Sequence, residues 1–338
     1  INNFVLMNVT QRIDTFSALG NYILSNPTEL QEIVHKSYLY NTWFTPENTN
    51  NALQNIATEF LNKEKLEAWL SNYILDNTSN TEKTIAMVAA GNIPMVAFHD
   101  ILCVLISGNQ LQLKLSEKDK YLLPFLLDKL TSINNTFKDK ISIQEKLENF
   151  DAIIATGSNN TAKHFEFYFG KYKNIIRKNR NSMAILNGDE SLQEIENLGH
   201  DIFDYFGLGC RNVSKIFAPK GFNLLRLKEG FAKHQQVMQH TQYMNNLDYQ
   251  RTLYLMNQIP LLDIDFINIV DNPSLTSPIS CLHVEHYDSI DEVHNYIIEQ
   301  KDNLQCIIGK DFMPFGKSQQ PTLSDYADNI DTLKFILS

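Results

Sequence analysis

From Thr84 onward, short apolar runs alternate with helix-length amphipathic segments. That alternation narrows the fold more than any other feature of the 338 residues. Residues 84–90, 110–115, 151–155 and 173–176 read as strands, with helical stretches between most of them. After a polar break at 177–181 the pattern resumes, with strands at 183–186, 213–217, 266–270, 280–285 and 306–309 and a last one at 332–337. Strands separated by helices of this length run parallel in β-α-β units, so the expected class is α/β. Residues 1–80 read as a helical lead-in. Within it, 30–38, 50–62 and 63–75 carry apolar residues at three- and four-residue spacing, and Ile56, Phe60, Leu66, Trp69, Leu70 and Tyr73 are expected in the core. The polar break divides the chain into two expected domains, 1–180 and 181–338.

Charge and composition remove whole classes of function. Lys and Arg number 29 against 39 Asp and Glu, a net charge of −10. That balance argues against nucleic acid or an anionic membrane surface as the main partner, since a phosphate-binding face needs a clustered basic excess. No apolar run reaches the roughly 18 residues of a membrane helix. The N-terminus lacks a basic-then-apolar secretory pattern, and because it starts at Ile1 a few preceding residues are expected. The four cysteines, Cys103, Cys210, Cys281 and Cys306, are scattered and form neither a disulfide framework nor a zinc spacing. The expectation is a reducing cytoplasm and no metal.

Cys210 has the most suggestive surroundings, Phe206-Gly207-Leu208-Gly209-Cys210-Arg211-Asn212. Two glycines before a cysteine at a helix end free the backbone for a tight turn and close ligand approach. There the Cys210 N–H can face a reacting carbonyl, and Arg211 favours the thiolate. The plainer alternative is a small buried residue after a glycine-terminated helix, and alone the segment favours it. Gly91-Asn92-Ile93-Pro94 follows a parallel strand, where α/β ligand sites lie, and the Asn92 amide is placed to polarise a carbonyl. A simple turn explains it equally. Lys114 ends a strand and Glu117 follows within an expected helix opening at Ser116, a pair suited to a ribose or to ordinary capping. Gly157-Ser158 sits between strand and helix, a place suited to a phosphate. None of the histidines is assigned a catalytic role.

Taken in order, these segments are far more specific. Gly91-Asn92-Ile93-Pro94, then Ser107-Gly108-Asn109 with Leu113-Lys114-Leu115-Ser116-Glu117, resembles the W-N-x-P and A-G-N-x-x-x-x-K-P-S-E run of the aldehyde dehydrogenase superfamily. Thr156-Gly157-Ser158 resembles its T-G-S cofactor turn, and Gly207-Leu208-Gly209-Cys210 its G-Q-x-C nucleophile segment. Ser277-Pro278 is similar to its F-G-P region, and Pro314-Phe315-Gly316-Lys317 to its P-F-G-G-x-K segment. Leu115 departs from the pattern's Pro. Arg177 falls about where hydrolytic members carry a general-base Glu, and Ser274 where a second Glu contacts cofactor. An enzyme that hydrolyses its thioester needs a base to activate water, and one that exchanges acyl groups with coenzyme A does not. The shortness and these departures resemble most the long-chain acyl-CoA reductases, the family of the reductase subunit of the bacterial bioluminescence fatty-acid reductase complex.

The resemblance implies an aldehyde-dehydrogenase-like fold, with a Rossmann-type dinucleotide-binding domain over 1–180 and an α/β catalytic domain over 181–338. It implies that Cys210 attacks an acyl-CoA to form a thioester, which NADPH reduces to the fatty aldehyde. Asn92 and the Cys210 N–H would hold the oxyanion. Lys114, Ser116 and Glu117 would hold the adenosine ribose, and Gly157 and Ser158 the pyrophosphate. Glu117 disfavours a 2′-phosphate and leaves NADH open. Lys118, Lys120, Arg177, Lys178 and Arg180 form a basic edge suited to coenzyme A or the 2′-phosphate, or simply to solvent. A homo-oligomer and an acyl-protein synthetase partner are also expected, with the terminal strand pairing between subunits. The alternatives are NAD(P)-dependent aldehyde oxidation, for which Glu166 would be a base, and an acyl-transfer or scaffolding subunit.

Overall fold

The structure, a computed structural model, describes residues 7–75 and 82–338. Of the expected helical lead-in, 1–6 and 76–80 lie outside the described residues. The chain divides into two compact units, Ile1–Lys178 with Pro321–Ser338, and Asn179–Gln320.

The first unit opens with α1 (Val9–Leu24), α2 (Thr28–Tyr40), α3 (Pro46–Asn55) and α4 (Lys63–Leu70). Local sequence starts each of them. Asn8 and Gln11 form a reciprocal capping box on α1, and Thr45 caps α3 with Pro46 in its first turn. A π turn at Ile56–Phe60 continues α3. The strands β1 (Thr84–Val88), β2 (Gln110–Lys114), β3 (Ile141–Ile143), β4 (Ala152–Thr156) and β5 (Lys173–Arg177) form a sheet in the order β3-β2-β1-β4-β5. All its pairings are parallel, with Ile85 opposite both Leu111 and Ala152. The helices α5 (Phe98–Ile106), α6 (Leu122–Ile133) and α7 (Asn159–Phe169) link the strands. Every residue of α5 except His99 is buried, as its largely apolar sequence requires. The exception in chemistry is Asp100, which the chain satisfies with Arg177 and Thr332.

The second unit contains β6 (Asn181–Ile185), α8 (Leu192–Phe203), β7 (Val213–Pro219), α9 (Leu225–Phe231), α10 (Thr241–Met256), β8 (Leu262–Asp263), β9 (Asn268–Asp271), β10 (Cys281–Tyr287), α11 (Ile290–Gln300) and β11 (Leu304–Ile308). Its sheet runs β11-β6-β7-β10-β9-β8, parallel except for the short β8 at its edge. Ser191 and Glu194 cap α8 reciprocally, and its amphipathic face buries Ile195, Leu198 and Ile202.

Three expectations are corrected. The segment 332–337 is a helix, Thr332–Leu337, and not a strand. Its buried Leu333 and Ile336 lie three apart, and Asp331 accepts a hydrogen bond from the Lys334 N–H as its cap. This segment belongs to the first unit and not to a continuous 181–338 domain. The helix expected to open at Ser116 begins at Leu122, because residues 116–120 form turns in which the Lys118 N–H donates to Ser116 Oγ and the Asp119 N–H to Ser116 O. Among the described residues, no helix is long and apolar enough to cross a membrane.

Candidate active site

In the first unit, parallel β1, β2 and β4 deliver their carboxyl ends to one edge of the sheet, where open α/β sheets bind ligands. Asn92 follows β1, Lys114 ends β2 with Ser116 and Glu117 just beyond, and Gly157 and Ser158 follow β4. Lys114, Glu117 and Ser158 are exposed, and Asn92 is half-buried. The β1 and β2 turns touch: a Cβ on Gly91 would lie 2.6 Å from Ser116 Cβ and closer still to its Oγ. A Cβ on Gly157 would lie 2.9 Å from Thr161 Cβ and Cγ2 and 3.0 Å from the Phe165 ring. Both glycines therefore hold backbone where no side chain fits. Ser158 caps α7, accepting the Thr161 N–H at 3.2 Å, so this helix points its free N–H groups and positive dipole end at the same edge.

A carboxylate that the sequence reading missed ties two of these turns together. Asp119 is buried, and its oxygens accept the N–H groups of Met95 at 3.3 Å and of Leu123 at 3.4 Å. Burial pushes its carboxyl up to about 6, against the pull of these donors. Met95, three residues past Asn92, is held at a left-handed φ of 59° that few side chains adopt.

The basic edge is only partly basic in effect. Arg177 is 3% exposed and paired with Asp100, so it is a core residue and not a ligand for phosphate. Lys178 and Glu166 pair with each other at 2.9 Å, both about half exposed, and Arg180 donates to the Leu304 carbonyl at 3.1 Å.

The second unit gathers three motif segments around the end of α8. Cys210 is half-buried while Cys103, Cys281 and Cys306 are all buried. Burial pushes the Cys103 thiol well up and Cys281 to about 11, which disfavours their reactive thiolates. Before Cys210 the backbone runs left-handed through Tyr205, Phe206 and Gly207, with φ of 53°, 58° and 74°. Asn212 closes the turn. Its Oδ1 accepts the Gly209 N–H at 2.8 Å, and its Nδ2 donates toward the carbonyls of Asp204 at 2.8 Å, Asp201 at 3.2 Å and Ile202 at 3.4 Å. From the other side Ser182 Oγ donates to the Cys210 carbonyl and accepts the Cys306 N–H, both at 3.0 Å. Arg211 directs Nη1 to Cys306 Sγ at 3.2 Å.

The Asp201 carboxylate, on α8, accepts the N–H groups of Gly316 at 2.6 Å and Ser318 at 2.9 Å, anchoring the Pro314–Lys317 segment. Ser277 and Pro278 line a small pocket of about 50 Å3 together with Phe206, Gly207, Gly209 and Asn212. Ser182 carries no sequence signal, because it acts across the fold, and Asn212, whose partners are local, is marked only by its place two residues past Cys210. Among the described residues no group of three or more His, Cys, Asp or Glu is arranged to hold a metal ion.

This architecture is shared with solved enzymes. Against aldehyde dehydrogenase 21 from Physcomitrella patens, in complex with the reaction product succinate, 90% of the chain aligns with 74% of that one (TM-score 0.67, 14% identity). Against an indole-3-acetaldehyde dehydrogenase of P. syringae, in complex with NAD+ and IAA, 89% aligns with 72% (TM-score 0.62, 14% identity). Against aldehyde dehydrogenase C of Pseudomonas syringae, in complex with NAD+ and octanal, 90% aligns with 73% (TM-score 0.62, 12% identity). The fold is that of the aldehyde dehydrogenases. No curated protein matches the chain in sequence. The family model for acyl-CoA reductase (LuxC) matches residues 21–229, more than half of its length, and the chain belongs to that family of oxidoreductases.

Proposed function

We propose that the protein reduces a long-chain acyl-CoA to the fatty aldehyde through a thioester on Cys210, using NADPH, with NADH left open by Glu117. The observation that carries this reading is the convergence of the Gly207–Asn212, Ser277–Pro278 and Pro314–Lys317 segments on the end of α8, the first of them carrying the one cysteine of four that is not buried.

The carboxyl edge of the first unit fits a dinucleotide. Gly91 and Gly157 keep side chains out of the turns, the α7 N-terminus offers N–H groups to a pyrophosphate, and Lys114, Ser116 and Glu117 offer polar groups to a ribose. Bound there, a nicotinamide supplies the hydride. The chain's own residues do the rest. The Cys210 thiolate forms the C–S bond to the acyl carbon as the bond to the coenzyme A sulfur breaks and that thiolate leaves. The Cys210 N–H is the donor assigned to the oxyanion, and the resemblance of its motif assigns Asn92 the role of an amide donor. Ser182 fixes the Cys210 carbonyl and so the orientation of the turn. Arg177 holds its charge in the core, so the position where hydrolytic members carry a base offers none, which favours acyl exchange with coenzyme A over hydrolysis. Glu166, the base considered for oxidation, is half exposed and ion-paired to Lys178. We place the enzyme in the cytoplasm as a homo-oligomer, with an acyl-protein synthetase as a further partner.

The test is an assay of the purified protein with long-chain acyl-CoA and NADPH, following NADPH, coenzyme A and aldehyde, alongside Cys210→Ala. Equal amounts of aldehyde and coenzyme A, absent in the variant, are expected. Coenzyme A release without NADPH consumption would mean acyl transfer only. NAD(P)H formed from added aldehyde, with no coenzyme A released in the forward assay, would mean oxidation.

A further inference from the structure

We propose that Asn212 is the positioning residue of the nucleophile turn: its amide clasps a strained left-handed segment shut, and the reactivity of Cys210 depends on that clasp. The inference rests on Cys210 being the nucleophile.

Tyr205, Phe206 and Gly207 follow one another at φ of 53°, 58° and 74°. Glycine adopts this region readily, but Tyr and Phe do not, and a run of three is not a conformation the local chain chooses. Such strain persists only where surrounding structure over-determines it. Part of the restraint is packing, since Tyr205 and Phe206 are buried and the Phe206 ring lies 4.3 Å from His240 and 5.9 Å from Tyr243. A large polar share comes from the Asn212 side chain, beside the Ser182 bond to the Cys210 carbonyl. Asn212, 3% exposed, takes up the carbonyls at the end of α8 with Nδ2, and the Gly209 N–H with Oδ1. Its own N–H donates to Gly209 O at 3.0 Å. One amide therefore joins the entry and the exit of the strained run, and Cys210 lies in the short loop that the Gly209–Asn212 bonds close. Only an amide does this, because the site asks for a donor toward three carbonyls and an acceptor toward one N–H. Asp would keep the Gly209 bond and turn a charge on the carbonyls, and Ala would leave both sides unpaired.

A helix cap alone would affect stability and leave the thiol's chemistry unchanged, so the test reads the thiol. The alkylation rate of Cys210 by iodoacetamide is followed from pH 6 to 10 in wild type, Asn212→Ala and Asn212→Asp, with Cys210→Ala as background. Thioester formation from acyl-CoA and NADPH affinity are measured on the same proteins. Misplacing a nucleophile by about 1 Å costs on the order of 100-fold. We expect a loss of that order in thioester formation for Asn212→Ala, NADPH affinity within a factor of about two to three, and an alkylation profile moved to higher pH. Asn212→Asp should move the profile further, since its carboxylate opposes the thiolate. Folded variants whose profile and thioester formation stay within a factor of two of wild type would overturn the proposal. Should neither variant fold, hydrogen exchange in the wild type decides: the Gly209 amide is expected to be protected, and exchange at open-loop rates would overturn the clasp. Full acyl-CoA reduction by Cys210→Ala would instead overturn the proposed function, whatever the Asn212 variants do.

Discussion

Arg177, at the end of β5, and Asp100, in the buried helix α5, form a two-point ion pair, with Arg177 Nη2 2.9 Å from Asp100 Oδ1 and also 2.8 Å from Thr332 Oγ1. A residue that looked like part of a ligand-binding basic edge is instead the counter-ion of Asp100 in a largely apolar helix. Burial pushes the Asp100 carboxyl up, but the charge and hydrogen bonds of Arg177 outweigh it and hold it below the usual carboxylate range.

Removing one partner of such a pair leaves a buried charge unpaired, which costs about 3–5 kcal/mol. Arg177→Met should therefore lower the stability of the first unit by an amount of that order at pH 7, measured by urea unfolding. The sign with pH follows from linkage. In wild type the depressed Asp100 contributes stability above its unfolded value, near 3.9, that is lost as pH falls through its folded value. In Arg177→Met the unpaired carboxyl is relieved by taking a proton, so the gap between the two proteins should narrow from pH 7 to pH 4. A constant gap would mean that the pair is not the source of the loss.

Asp201 carries a different kind of load, because its two carboxylate oxygens accept the backbone N–H groups that fix the Gly316–Ser318 segment while its carbonyl accepts from Asn212. Burial raises its carboxyl despite those N–H donors. Asp201→Ala strands the buried Ser318 N–H, at about 1–3 kcal/mol, and the part-buried Gly316 N–H, at less. The expected outcome is a folded but less stable second unit, in which hydrogen exchange rises at 316–318 before it rises in β7. Uniform exchange across both segments would count against a local role.

The strands were legible because core strands of parallel sheets are apolar on both faces, as β1 and β4 are. The three-residue β3 was not, since Ile141–Ile143 is defined by pairing to β2 rather than by its own pattern. The segment 332–337 failed for the opposite reason: short apolar runs do not separate helix from strand, and here a cap at Asp331 decides. Cys210 could be singled out by the ordered run of motifs, since its glycines alone favour a structural cysteine. What holds it could not, because Tyr and Phe give no warning of a left-handed run and Ser182 reaches it from another strand.

His234 makes stability depend on pH in the second unit. Its Nε2 lies 2.8 Å from the Glu196 carbonyl, which only accepts, so Nε2 carries the proton. Nδ1 is then the bare nitrogen, buried without a hydrogen-bond partner. Burial lowers the pKa, so the neutral ring contributes stability above the unfolded value near 6.5, lost as pH falls through it. Neighbouring His200 is raised by its bond to Asp204 and works in the opposite direction, but it is 54% exposed and screened. Thermal unfolding of the wild type should therefore occur at a lower temperature at pH 5.5 than at pH 7.5. His234→Phe should flatten that slope while losing about 1 kcal/mol at pH 7.5 with the Glu196 hydrogen bond. An unchanged slope would assign the acid sensitivity elsewhere.

The contact between Gly91 and Ser116 tests whether the carboxyl edge of the first sheet is the dinucleotide site. A Cβ on Gly91 would lie 2.6 Å from Ser116 Cβ, which no rotation of the serine relieves, so Gly91→Ala must part the β1 and β2 turns. Those turns carry Asn92 and the Ser116–Glu117 pair, so the cost should fall on cofactor affinity. We expect NADPH binding, followed by fluorescence titration, to weaken about tenfold or more, equivalent to about 1.4 kcal/mol. Ser116→Gly in the same chain removes both obstructing atoms and leaves Lys118 Cβ, at 3.3 Å, as the nearest remaining contact. The double variant should recover part of the affinity, less what the lost Ser116 Oγ contributes to the ribose and as acceptor for the Lys118 N–H. Gly91→Ala with wild-type affinity would move the cofactor away from this edge. A double variant weaker than Ser116→Gly alone by the same factor that separates Gly91→Ala from wild type would show that the clash with Ser116 is not what the extra methyl disturbs.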